Sequence, residues 1–159
     1  MHPNVERVVG AARAAGLQIS VERFPEGTRT AEDAARAVGC EVAQIVKSLV
    51  FVADDRPVLA LVSGANRLDP ARLARVLAAT VARRADGDEA RRATGFAIGG
   101  VPPFGHATPL PVVVDRDLLA HRRVWAAAGL PDAVFGIGPD ELVRVSAGRI
   151  ADIAAAAPG

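Results

Sequence analysis

The chain has 159 residues, of which 50% are hydrophobic and 23% charged, with a formal net charge of +1. That suffices for one domain with a sizeable core and excludes a polycation held to nucleic acid along its whole surface, so an RNA partner would need a local patch. One cysteine (Cys40) excludes an internal disulfide, the scattered His2, His106 and His121 offer no metal-ligand spacing, and the lack of a signal-like start or of ~20 uncharged apolar residues points to a cytoplasmic protein without membrane contact.

In chain order, Pro3-Asn4 opens a helix to about Ala15, with Val5, Val8, Val9 and Ala12 on one face and Gly16 as the stop. Leu17, Ile19 and Val21 alternate with Gln18, Ser20 and Glu22, which predicts a half-buried strand through Phe24. Thr30 and Asp33 form a capping-box pattern for a short helix ending at Gly39. The runs 45–53 and 58–64, joined by Asp-Asp-Arg-Pro, read as a β-hairpin. Asp69-Pro70 caps a helix to about Ala79. A short strand at 80–84 and a polar helix closed by Gly95 follow.

Residues 96–111 are expected to begin as a strand and continue as a Gly/Pro loop. Val112–Asp115 reads as a buried strand, and Asp115 as the cap of a short helix through His121. Segments 124–129, 133–138 and 141–145 are short strand candidates, and Ser146 could cap a last helix. Strands and helices mix without regular βαβ spacing. The expected architecture is a single α/β domain over 1–159, with a mixed, mostly antiparallel, barrel-like sheet and surrounding helices.

Lys47 is the only lysine among nineteen basic residues. It lies in the apolar run Gln44–Phe51, where both strand faces are largely hydrophobic. A buried ammonium without a partner is disfavoured. The plain alternative is a snorkelling or carboxylate-paired lysine. A site that needs a compact ammonium and not a planar fork would keep Lys against the chain's bias to Arg.

Gly99-Gly100-Val101-Pro102-Pro103 makes a stiff loop able to bring backbone groups close to a ligand, or else a simple turn. It is neither a dinucleotide fingerprint nor a P-loop. Gly136 and Gly138 again permit close approach, with a bulge as the plain alternative. His106 ends the Gly/Pro loop and suits either acid–base work or a bracing hydrogen bond. Ser48, Ser63 and Ser146 lack a nucleophile elbow. The pairs Arg83-Arg84, Arg91-Arg92 and Arg122-Arg123, with Arg72 and Arg75, are either solvated surface or a phosphate-binding rim.

The order of Lys47-Ser48-Leu49, Leu61–Asp69, the Gly99–Pro103 G-x-x-x-P loop, Leu110–Asp115 and Val134–Gly138 resembles the YbaK-like aminoacyl-tRNA deacylases, relatives of the editing domain inserted in bacterial prolyl-tRNA synthetases. The resemblance runs from about Val5 to Ile153. It implies a free-standing editing factor that hydrolyses the ester of a mischarged tRNA, with no metal or cofactor. It implies that Lys47 is the catalytic or substrate-gripping cation and that Gly99, Gly100, Val101, Pro102 and Pro103 line the aminoacyl pocket. Ser48, Ser63, Asn66, His106, Gly136 and Gly138 are further pocket candidates.

The implied partners are the CCA end of an aminoacylated tRNA, read by stacking and 2′-OH contacts, and a synthetase. The polarity of Ser63, Asn66, Asp69 and His106 favours a small or hydroxylated amino acid over Cys. Two rival functions are a non-catalytic module that binds an acceptor end or nucleotide, and a hydrolase of an unrelated small ester.

Overall fold

A computed structural model describes residues 1–28 and 30–156. Five α-helices and two sheets are present among the described residues: α1 (Pro3–Ala14), β1 (Val21–Arg23), α2 (Ala31–Val38), β2 (Val46–Ala53), β3 (Arg56–Ser63), α3 (Pro70–Val76), β4 (Ala82–Arg84), α4 (Gly87–Thr94), β5 (Val112–Asp115), β6 (Val124–Ala127), β7 (Ala133–Ile137), α5 (Pro139–Ser146) and β8 (Arg149–Ala151). Short 3-10 turns cover Val42–Gln44 and Arg116–Ala120. No helix among the described residues is long and apolar enough to cross a membrane.

The larger sheet runs β4-β2-β3-β5-β8 and the smaller β1-β7-β6. In the first, β4, β2 and β3 are antiparallel, while β5 and β8 join parallel. Period-two alternation buries both of its faces. Val46, Val50, Leu59, Leu61, Val112 and Val114 face α1, α5 and the smaller sheet. Phe51, Val58, Ala60, Val62 and Val113 face α3, through Leu73. Each fully buried Leu or Val contributes roughly 1.5–3 kcal/mol relative to exposure, so the hairpin is the anchor of the fold.

The α/β single-domain expectation holds, but the barrel does not close. The two ladders meet at an isolated parallel bridge between Ile45 and Trp125, and the smaller sheet packs across the larger as a separate layer. Four local expectations also change. The first strand is only Val21–Arg23, because the Leu17 amide turns back to the Ala12 carbonyl at the end of α1. Residues 96–100 form a turn, with the Phe96 amide on Thr94 Oγ1 and the Gly100 amide on the Ala97 carbonyl.

Residues 141–145 belong to α5, not to a strand. Pro139 supplies a first-turn start, and Pro139, Leu142 and Ser146 are buried at helical spacing. Ser146 therefore ends a helix instead of capping one. Ala147 follows in the left-handed conformation, and 149–151 returns as β8 beside β5.

Candidate functional site

The site begins with a gap in a β-ladder. Strand β4 pairs with β2 only at Phe51–Ala53, and the last bond on that edge runs from the Ala85 amide to the Val50 carbonyl. The other end of the gap is the Ile45–Trp125 bridge. Backbone polar groups alternate sides along a strand. The Ile45 carbonyl accepts from Gly64 on the β3 side and Val50 accepts from Ala85 on the β4 side, so the N–H and C=O of Ser48 are aimed into the gap.

A cavity of about 320 Å³ occupies this gap. Its floor is β2 from Val46 to Leu49, including Lys47 and Ser48. Ala126, Ala127, Ala133 and Val134 of the smaller sheet form one wall, and Ala31 and Ala34 of α2 another. Ile98, Gly99 and Val101 close a third side, with Thr28, Thr30, Arg84 and Trp125 completing the rim. Alanines leave the room, because a cavity bounded by strands two residues apart on a face can be deep only where side chains are short. The volume lies at the small end of the range for ligand sites.

The loop 98–103 is set against the smaller sheet by close packing. Gly99 has a φ of +95°, which a residue with a Cβ rarely adopts, and a Cβ on Gly100 would stand 3.0 Å from the Gly129 carbonyl oxygen. His106 Nε2 lies 2.7 Å from the Pro102 carbonyl, so it donates there and braces the loop from behind. Burial lowers the His106 pKa, with the bond to Pro102 working in the opposite direction. The ring does not line the cavity.

Lys47 is half-buried, and its ammonium donates to the main-chain carbonyl of Asn66. Loss of solvation lowers its pKa, and Arg84 adds to that, while Glu32 and Asp115 favour the charged form. The lysine is therefore neither a surface residue nor a member of a direct ion pair among the described residues. Ser48 Oγ is buried without a hydrogen-bond partner among them.

Of the expected site residues, Lys47, Ser48, Gly99 and Val101 come together around the cavity. Gly100 packs against the main chain at Gly129 and Leu130, and the Pro102 carbonyl accepts from His106; neither these two residues nor Pro103 line the cavity. Ser63 and Asn66 lie on the turn after β3, where Ser63 Oγ donates to the Ala43 carbonyl at 2.7 Å. Gly138 caps α5, and Gly136 sits in β7 beneath the Arg123 guanidinium, so neither lines the cavity.

Sequence reasoning missed Thr28, Thr30, Ile98, Trp125 and the alanine walls. The one available signal was the lone Trp next to a paired arginine; the Arg123 guanidinium carbon stands 5.0 Å from the Trp125 ring centroid. Of the paired arginines, Arg84 lines the cavity, whereas Arg83 is taken by Glu89 at 2.8 Å. Among the described residues no group of three or more His, Cys, Asp or Glu side chains could hold a metal ion.

The family model described as the aminoacyl-tRNA editing domain matches residues 25–145, which span the cavity and most of its supports. A solved structure described as a proposed trans-editing enzyme for prolyl tRNA synthetase superposes with a TM-score of 0.92 at 48% identity, covering 98% of this chain and 99% of that one. The uncharacterised protein YwhH of Bacillus subtilis is 30% identical over 131 residues, 82% of this chain and 83% of its own length. A proline–tRNA ligase of Citrifermentans bemidjiense is 36% identical over 106 residues, 67% of this chain but only 18% of the ligase. The family match over most of the length, together with the shared fold, establishes that the chain belongs to the aminoacyl-tRNA editing domain family.

Proposed function

We propose that this protein hydrolyses, in trans, the ester that joins a small or hydroxylated amino acid to the terminal adenosine of a tRNA, with tRNA-Pro as the first candidate and 1–159 acting as one editing domain. The observation that supports this most is the meeting of Lys47 and the Ser48 backbone with the 98–101 loop around one small cavity. Family membership and the likeness to a proposed trans-editing enzyme support the same reading.

In this mechanism the amino-acid side chain enters the alanine-lined space, whose volume excludes large residues. The Ser48 amide, at the open edge of β2, donates to the ester carbonyl oxygen as it gains charge. Fixed donors of this kind stabilise a developing oxyanion by several kcal/mol. Lys47 holds the negative side of the acceptor end electrostatically, and Arg84 extends that field along the rim. An aminoacyl ester needs no side-chain nucleophile, so water attacks the ester carbonyl directly, beside the substrate's own free ribose hydroxyl. The bond from the carbonyl carbon to the esterified ribose oxygen breaks, and that oxygen takes up the proton released by the water. The free amino acid and a tRNA with an unesterified terminal ribose result. The partner is the single-stranded CCA end, and a synthetase is the source of the mischarged substrate. The working compartment is the cytoplasm.

The test is a deacylation assay with purified protein and tRNA-Pro charged with Ala, Ser, Thr, Cys or Pro. Hydrolysis of one of the small or hydroxylated esters well above the spontaneous rate is expected. Loss of no ester above background would overturn the reading, and tight binding without hydrolysis would favour a module that only grips the acceptor end.

A further inference from the structure

Asp115 ends β5 and is only 2% exposed. Its Oδ1 accepts from the Asp117 amide at 3.1 Å, which is an ordinary helix-start cap. Asp86 caps α4 in the same manner from an exposed position, so capping alone does not require a buried carboxylate. Burying an ionised carboxylate costs several kcal/mol unless its oxygens are satisfied. The other oxygen shows where that satisfaction comes from. Oδ2 accepts from the Ser63 amide at 3.0 Å and from Asn66 Nδ2 at 2.8 Å.

Both donors belong to one tight turn after β3, closed by the Asn66 amide on the Ser63 carbonyl at 2.9 Å. The turn is clamped on its far side as well. Ser63 Oγ donates to Ala43, the Gly64 amide to Ile45, and a Cβ on Gly64 would stand 2.4 Å from the Val42 carbonyl oxygen. Asp117 Oδ2 adds a second acceptor for Asn66 Nδ2 at 2.8 Å. The group this turn turns toward β2 is the Asn66 carbonyl, and that carbonyl receives the Lys47 ammonium.

We propose that Asp115 is a positioning residue, which acts through the Ser63–Asn66 turn to set where the Lys47 ammonium stands beside the cavity. Its role in turnover rests on the deacylase reading above; its role in placing Lys47 does not. The charged groups that face Lys47 are Glu32 from α2, Arg84 from β4 and Asp115 from β5.

Because the chain has one lysine, lysine labelled with 13C at Cε gives one side-chain resonance that titrates with Lys47 alone. Two variants separate field from geometry. Asp115→Asn removes a charge and turns one acceptor into a donor. Asn66→Ala leaves every charge in place but removes the side-chain link from the turn to Asp115 and Asp117, so that only the Ser63 amide still ties the turn to Asp115. Asp115→Asn is expected to lower the Lys47 pKa by removing a charge that favours the ammonium, and Asn66→Ala to move the Lys47 resonance and pKa away from their wild-type values, with Asn66→Gln reversing part of that change.

In the deacylation assay both should lower kcat/KM by roughly tenfold to a hundredfold, with KM rising because Lys47 grips the acceptor end less well, and Asn66→Gln should recover part of that loss. A wild-type Lys47 resonance and pKa in folded Asn66→Ala would overturn the proposal, whether or not Asp115→Asn folds. If wild type hydrolyses no ester, the deacylase reading fails and the titration still decides the placement of Lys47.

Discussion

The Lys47 ammonium donates to the carbonyl of Asn66, nineteen residues further along the chain, from the strand whose open edge floors the cavity. That link ties a hairpin turn to the site. It also accounts for a lysine in a chain of arginines. A compact ammonium on a flexible stem can meet a single carbonyl in a confined space, whereas a planar guanidinium would present five donors where one acceptor waits.

Lys47→Ala should therefore lower deacylation by on the order of a hundredfold, close to 3 kcal/mol of transition-state stabilisation. Lys47→Arg should recover less than a tenth of the wild-type rate, since charge without the geometry is insufficient. Melting temperatures of both variants, measured alongside, should change little, because the residue is only half-buried. Wild-type rates in Lys47→Ala would remove Lys47 from the mechanism.

The pH dependence follows from the direction of the Lys47 shift. Burial holds its pKa below the ordinary 10.5. Between the folded pKa and 10.5 the unfolded chain holds a proton that the folded chain has released. Stability from this group therefore rises with pH across that window. The wild type should gain stability relative to Lys47→Met as pH is raised toward 10.5 in urea titrations. Enzymatic deacylation, corrected for spontaneous hydrolysis, should fall over the same window as the ammonium is lost. A difference that shrinks with pH would contradict the buried, solvation-poor placement.

The fold was readable wherever a local signal named its own partner. Thr30 and Asp69 cap their helices as the pattern says, with bonds to the Asp33 and Ala71 amides. The hairpin β2–β3 pairs residue by residue from Val46–Ser63 to Ala53–Arg56. The reading failed where long-range pairing decides. Arg149–Ala151 is a strand only because β5 offers it an edge, and Leu142–Val145 is a helix despite its valines, because Pro139 starts it and the core needs Leu142.

The same division holds at the site. Lys47, Ser48, Gly99 and Val101 stand out by type or motif. Ala126, Ala127, Ala31 and Ala34 define the cavity by having almost no side chain, which no residue pattern in an alanine-rich chain can flag. Ser63, Asn66 and His106 carried the right polarity but spend it on supporting bonds.

Trp125 reports on the rim. A Cβ at Gly136 would stand 2.3 Å from Arg123 Nε, so Gly136→Ala must push the guanidinium off the indole. The clash is with a flexible side chain, and the stability cost should stay within about 1 kcal/mol. Trp125 is the only tryptophan, so its emission should shift in this variant without loss of the folded state. If the Arg123 stack also presents the ring to the acceptor end, KM for aminoacyl-tRNA should rise while kcat holds. Unchanged emission would mean that Gly136 tolerates the Cβ without moving Arg123.

Glu89 of α4 does not line the cavity and bears instead on acid stability. Glu89 receives both terminal nitrogens of Arg83, at 2.9 and 2.8 Å, and also the Asp86 amide at 3.0 Å. The Arg83 bonds come first and the Asp86 amide second in holding its pKa down to about 2, from an ordinary 4.5. A depressed carboxylate contributes stability that is complete above the unfolded value and disappears as pH falls through the folded one. The stability difference between wild type and Glu89→Gln should therefore be constant above pH 4.5 and vanish near pH 2. Arg83 is exposed and Glu89 partly so, and added salt should therefore shrink the difference at neutral pH. Denaturant titrations at several pH values and two salt concentrations check both trends. A difference that persists unchanged at pH 2 would assign the effect of Glu89 to side-chain packing and not to its charge.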